Sequence, residues 1–149
     1  MRDIIDQAFK AAMKAQDKRR VSTLRLINAA IKDRDIEARG AGKERITDDE
    51  LLGLLQKMIK QRQESAAIYD KAGRADLFQQ ETEEIDIIAG FLPKQLDEAE
   101  TIAAIDAAIA STGAQGLRDM GKAMAELRAA HAGRMDFAKA SALLKERLK

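Results

Sequence analysis

The sequence predicts an all-α protein, an N-terminal antiparallel bundle of about four helices followed by a small C-terminal three-helix domain. Three observations carry that prediction. Ala, Leu, Ile and Met supply the apolar mass, while the 149 residues include four Phe, one Tyr and no Trp, a balance that favours helix formers over strand formers. Apolar residues recur at three- and four-residue spacing along most of the chain. Glycines and the single proline, Pro93, then cut that pattern into helix-sized segments.

The segments follow in order. Ile4, Ile5, Ala8, Phe9 and Ala12 form one stripe with Lys10 and Lys14 between them, giving a first amphipathic helix. The second runs from about Arg20 to Arg39 on Leu24, Ile27, Ala30 and Ile31, and Gly40 and Gly42 stop it. In "TDDE", Thr47 to Glu50, a hydroxyl and a carboxylate three residues apart can satisfy each other's backbone amides, so a third helix starts there. Its stripe is Leu51, Leu52, Leu55, Met58, Ile59, Arg62, Ala66 and Tyr69, and Gly73 closes it. Residues 75–90 make a fourth helix on Leu77, Phe78, Ile85 and Ile88. Pro93 denies Leu92 helical geometry and Asp97 with Glu100 reads as a new N-cap, so the domain boundary is placed here, 1–93 against 94–149. Ile102, Ile105 and Ile109 give a fifth helix ending near Gly113. Met120, Met124 and Leu127 share one face of a sixth, which Gly133 ends; Asp136 caps a seventh on Ala140, Leu144 and Leu148.

Composition bounds the chemistry. A chain of this length buries about 68–70% of its unfolded surface, so a core alone suffices. With no Cys, disulfides, thiolate metal sites and Cys nucleophiles are excluded, and a cytoplasmic setting is expected. The charged N-terminus has no continuous apolar run of a signal peptide, and no stretch approaches a membrane span, so no membrane partner is expected. The net charge of +1 is unevenly spread: 1–93 hold 17 basic and 17 acidic residues, 94–112 one and four, and 113–149 eight and four. The last quarter is the basic end.

Four stretches, "DKRRVSTLRLINAAIKD", "TDDELLGLLQKMIKQRQESAAIYDKAGRADL", "FLPKQLDEAE" and "GAQGLRDMGKAMAELRAAHAGRMD", resemble in order the YqeY family, whose C-terminal part is similar to the tail of the B subunit of the tRNA-dependent Asp/Glu amidotransferase. The resemblance implies a helical bundle plus a small tail domain, and a tRNA-facing role assisting an amidotransferase or an aminoacyl-tRNA synthetase. It also brings a label of carbon-nitrogen ligase with glutamine as amide donor, which belongs to the complex. A catalytic residue is not assigned: Ser22, Ser65, Ser111 and Ser141 are isolated from any Lys base in a Gly/Ser-rich loop, and "GAGKER" lacks the spacing of a phosphate-binding loop.

The candidate nucleic-acid-binding residues are Arg118, Lys122, Arg128, Arg134, Lys139 and Lys145, which fall off the apolar stripes, with glycines at 116, 121 and 133 letting a backbone come close. Asp119, Glu126, Asp136 and Glu146 interleave with them, as on an ordinary soluble surface. Lys10, Lys14, Lys18, Arg19, Arg20 and Arg25 form a second basic strip. Phe9, Phe78 and Phe91 read as core, leaving Phe137 as the one candidate exposed aromatic, so recognition should be of RNA shape and backbone. No cofactor or metal is expected. The lone His131 reads as capping or packing, and Glu81, Glu83, Glu84 and Asp86 as a solvated helix face. The alternative to a tRNA-associated module is a protein-interaction module whose grooves accept a helix; a helix-turn-helix in "GRMDFAKASALLK" has few base-reading side chains. A monomer or weak dimer is expected.

Overall fold

Four helices begin on side chains that the sequence supplies for that purpose. Asp17 accepts from the Arg20 amide at 3.2 Å, and Asp136 from the Ala138 and Lys139 amides at 2.9 and 3.3 Å. Thr47 with Glu50, and Asp97 with Glu100, close reciprocal capping boxes. Gly113 (φ 67°) and Gly133 (φ 74°) take the left-handed conformation that ends a helix without a Cβ penalty. In a computed structural model that describes residues 1–149, the result is seven α-helices and no strand: α1 Arg2–Ala15, α2 Lys18–Gly40, α3 Asp48–Lys71, α4 Ala75–Ala89, α5 Glu98–Thr112, α6 Met120–His131 and α7 Phe137–Leu148, with a single 3₁₀ turn at Leu117–Asp119. None of these helices is long and apolar enough to cross a membrane. The chain divides into two compact units, Met1–Leu92 and Pro93–Lys149.

In the first unit α1 lies on α2, α3 lies on α4, and α2 touches both α3 and α4. Ile5, Leu24, Ile27, Leu51, Leu55 and Ile88 are fully buried where these faces meet, each contributing about 1.5–3 kcal/mol by leaving water. Ile46, just before the Thr47 cap, and Leu51, on the fourth helical residue after it, hold the positions of a hydrophobic staple, and both are buried.

A polar clamp fixes that same junction. Arg2 grips Asp35 with two bonds, 2.8 and 2.9 Å, and donates to the Ile46 carbonyl at 3.1 Å, while Asp35 accepts the Ile46 amide at 3.0 Å. The start of α1, the last turns of α2 and the approach to α3 are thereby tied together. The Arg2 hydrogen bond, reinforced by the Ile46 amide, holds the Asp35 carboxyl down to about 2. Because this pKa is depressed on folding, the clamp's contribution is complete above the ordinary carboxylate value of about 4 and is lost as pH falls through about 2. Thermal melts stepped from neutral to strongly acid pH should therefore show a loss of stability in that window that Asp35→Asn, already weaker at neutral pH, shows to a smaller extent.

Three expectations are corrected in this unit. Ile4 is 61% exposed, because the face α1 presents to α2 is centred on Ile5 and Ala12 and is too narrow to include it. Phe78 is 39% exposed, since Ile88 marks the inward face of α4 and a residue ten positions away stands about 80° round the helix from it. Glu84 is not solvated. It lies one turn before Ile88 on the inward face, is 6% exposed, and takes the Arg62 guanidinium at 3.0 Å across the α3–α4 contact. Burial and the neighbouring Glu84 push the Glu81 carboxyl up. Arg62 thus stands in the α3 stripe as an ion-pair partner and also donates to the Met58 carbonyl.

In the second unit α5 packs on α6 and α7 packs on both, around Ile105, Leu127 and Leu144. The strap before α5 is bonded to the α6–α7 turn: Leu96 N–H donates to the Arg134 carbonyl at 2.8 Å, Gln95 Nε2 to the Gly133 carbonyl at 2.6 Å, and Arg134 Nε to the Lys94 carbonyl at 3.2 Å.

Candidate nucleic-acid interface

The second unit's basic residues separate into two groups. Arg147 reaches Asp106 on α5 at 2.8 Å, Lys149 reaches Glu146 at 3.1 Å, and Arg134 is half-buried with its guanidinium on the Lys94 carbonyl. All three have partners, and those of Arg147 and Arg134 tie separate elements of the unit together. Arg118, Lys122, Arg128, Lys139 and Lys145 are exposed, and none forms an ion pair. The acidic residues interleaved with them are mostly engaged elsewhere: Asp119 accepts the Gln115 amide at 2.9 Å, Asp136 caps α7, and Glu146 pairs with Lys149.

The five free cations do not make one flat patch. Arg118, in the 3₁₀ turn, and Lys122, in the first turn of α6, cluster at the start of that helix. Ala123 and Leu127 are buried, so Lys122 stands on the opposite, outer side of α6. Asp119, which precedes α6, makes no capping bond with its side chain, but its carboxylate sits at the positive end of the helix dipole and offsets part of the charge that Arg118 and Lys122 bring there. A Cβ on Gly116 or Gly121 would meet nothing within 4 Å, so packing does not require these glycines and the backbone there is open to approach. Arg128 lies at the other end of α6, with its guanidinium carbon 5.4 Å from the Phe137 ring centroid, inside cation–π range. Lys139 follows in the first turn of α7 and Lys145 two turns further along it.

Phe137 is half-buried against the second core and covered by Arg128, so it is not a free stacking platform. His131, the last residue of α6, is half-buried and caps nothing with its ring: Nδ1 is buried without a hydrogen-bond partner. Its backbone carbonyl accepts the Arg134 amide at 3.0 Å. Arg134's tie to Lys94 spans 40 positions, and nothing local in the sequence marks it.

Residues 2–148 match the family described as Yqey-like protein. The chain belongs to the YqeY family. Curated relatives of this YqeY-family chain include proteins named "Altered inheritance of mitochondria protein 41, mitochondrial". The one from Lachancea thermotolerans is 36% identical over 84 residues, 56% of this chain and 43% of the relative. The one from Vanderwaltozyma polyspora is 34% identical over 84 residues, 56% of this chain and 44% of the relative. The match with this YqeY protein thus spans less than half the length of those relatives.

Proposed function

We propose that this YqeY-family protein is a non-catalytic, tRNA-associated helical module that delivers or steadies tRNA for an amidotransferase or an aminoacyl-tRNA synthetase. The observation that carries the reading is the set of five exposed cations without ion-pair partners in residues 93–149, spread over the outer surface of α6, α7 and the turn before them. Lys and Arg in such numbers suit backbone phosphates, and the similarity to the amidotransferase tail supplies the RNA. The non-catalytic part rests on the isolation of the serines from any Lys base in a Gly/Ser-rich loop, and the Ser22 hydroxyl donates to the Arg19 carbonyl within its own helix. Carbon-nitrogen ligation with glutamine as donor is assigned to the partner complex. The setting is the cytoplasm of the cell, or the mitochondrial compartment that the curated relatives' names give for those proteins.

Gel shift of the full chain with total tRNA at low salt tests this. A retained band that weakens when Arg118 and Lys122 become Ala supports the reading; no band, or one indifferent to both substitutions, rejects it.

A second reading, a protein-interaction module, is favoured by one observation: Leu26, 47% exposed, borders an open cleft of about 310 Å³ in which Ala30, Leu54 and Met58 stand beside charged Asp33, Arg34, Lys57 and Arg62. Capture of a protein partner that survives nuclease and high salt, and is lost in Leu26→Glu, would favour it over tRNA.

A further inference from the structure

The corner between α1 and α2 carries a second feature, apart from the surface assigned to tRNA. Gln16 turns the chain there in the left-handed conformation, φ 55°, and an open cleft of about 380 Å³ is lined by Gln16, Lys18, Val21, Ser22 and Arg25. That volume lies in the range of small-ligand sites, roughly 300–1,000 Å³. Residues 18, 21, 22 and 25 recur at helical spacing, so they look out from one face of α2.

The lining is chemically mixed in a particular way. Lys18 and Arg25 are exposed and without acidic partners, whereas neighbouring Arg19 is held by Glu83 at 3.1 Å. The nearest carboxylate in sequence, Asp17, is bonded to the Arg20 amide as the cap of α2. Two cations about two helical turns apart, roughly 10 Å along the axis, therefore border the cleft with no carboxylate paired to them. Between them Val21 offers an apolar floor, half-buried against the first core. The Ser22 hydroxyl donates to the Arg19 carbonyl, which leaves its oxygen able only to accept. Gln16 adds an amide that both donates and accepts.

A bare anion would use the two cations and neither the apolar floor nor the acceptor oxygen. A nucleotide uses all of them: phosphate at Lys18 and Arg25, base against Val21 and the flat guanidinium, and a hydroxyl donated to Ser22 Oγ. The ribose 2′-hydroxyl is the donor that distinguishes RNA from DNA in such a place. From this we infer that the α1–α2 corner is a binding site for single-stranded ribonucleotide.

The test is amide NMR of the full chain titrated with a short single-stranded RNA, with DNA of the same sequence, inorganic phosphate and polyglutamate as competitors. The RNA is expected to shift the amides of Gln16, Val21 and Ser22. Replacing Lys18 and Arg25 by Ala, both exposed and so compatible with folding, should weaken RNA binding and lower the log–log salt slope by about 1.4, the single-strand value for two phosphates. Arg118→Ala with Lys122→Ala should leave these shifts in place. DNA should bind several-fold more weakly. RNA that shifts no amide in residues 16–25, DNA that binds as well, or phosphate or polyglutamate that shifts the same amides equally, overturns the inference. A protein that binds tRNA through 118 and 122 but ignores Lys18→Ala/Arg25→Ala loses this site and keeps the proposed function; shifts at the corner with no tRNA retained does the reverse.

Discussion

Glu84→Ala is expected to destabilise the N-terminal unit by about 3 kcal/mol, seen as a large fall in the urea midpoint followed by circular dichroism. The reason is the Arg62–Glu84 pair. The two side chains are 14% and 8% exposed, their contact is 3.0 Å, and they bridge α3 and α4, the two helices with the most extensive mutual packing. Removing the carboxylate leaves a guanidinium that is only 14% exposed with the Met58 carbonyl as its remaining partner. The loss then reflects an unpaired buried charge and not the net worth of the pair. Replacing both partners together, Arg62→Met with Glu84→Leu, should restore most of the stability, because apolar side chains of similar size suit that interface. A single Glu84→Ala variant within about 0.5 kcal/mol of the parent would show that the pair is solvated after all.

The second large effect is on tRNA affinity. If four or five of the free cations each meet a phosphate, the log–log salt slope is about −3.5 to −4.5, and raising salt from about 50 to 200 mM should weaken binding by about 100–500-fold. A hydrophobic docking mode would change little over the same interval. The magnitude also depends on which cations take part. Arg147, Lys149 and Arg134 already have partners, so their removal should alter the slope less than removal of Lys122, Lys139 or Lys145.

Most of the helical architecture was legible because it is written locally. The Thr47–Glu50 and Asp97–Glu100 capping boxes, the Asp136 cap, and the stops at Gly73, Gly113 and Gly133 all depend on residues within a few positions of one another, and each stands where the sequence puts it. The misjudged positions depend on partners far along the chain. Glu84 looked like one more carboxylate in an acidic run until α3 brought Arg62 to it across 22 positions, although an Arg inside the apolar stripe of α3 was a usable hint. Phe78 looked like core because aromatics usually are, yet the inward face of α4 is set by what α3 and α2 present to it. The same holds for the candidate interface. Spacing told which basic residues fall off the apolar stripes; only the packed unit shows that Arg147 turns to Asp106 and Arg134 to Lys94, leaving the others free.

The most direct measurement is a lysine-reactivity footprint of the full chain, acylated with and without tRNA and read by mass spectrometry. Bound tRNA is expected to protect Lys122, Lys139 and Lys145 while Lys57 and Lys71, on α3, react equally in both samples. Equal modification of the three C-terminal lysines with and without bound tRNA would contradict the proposed interface.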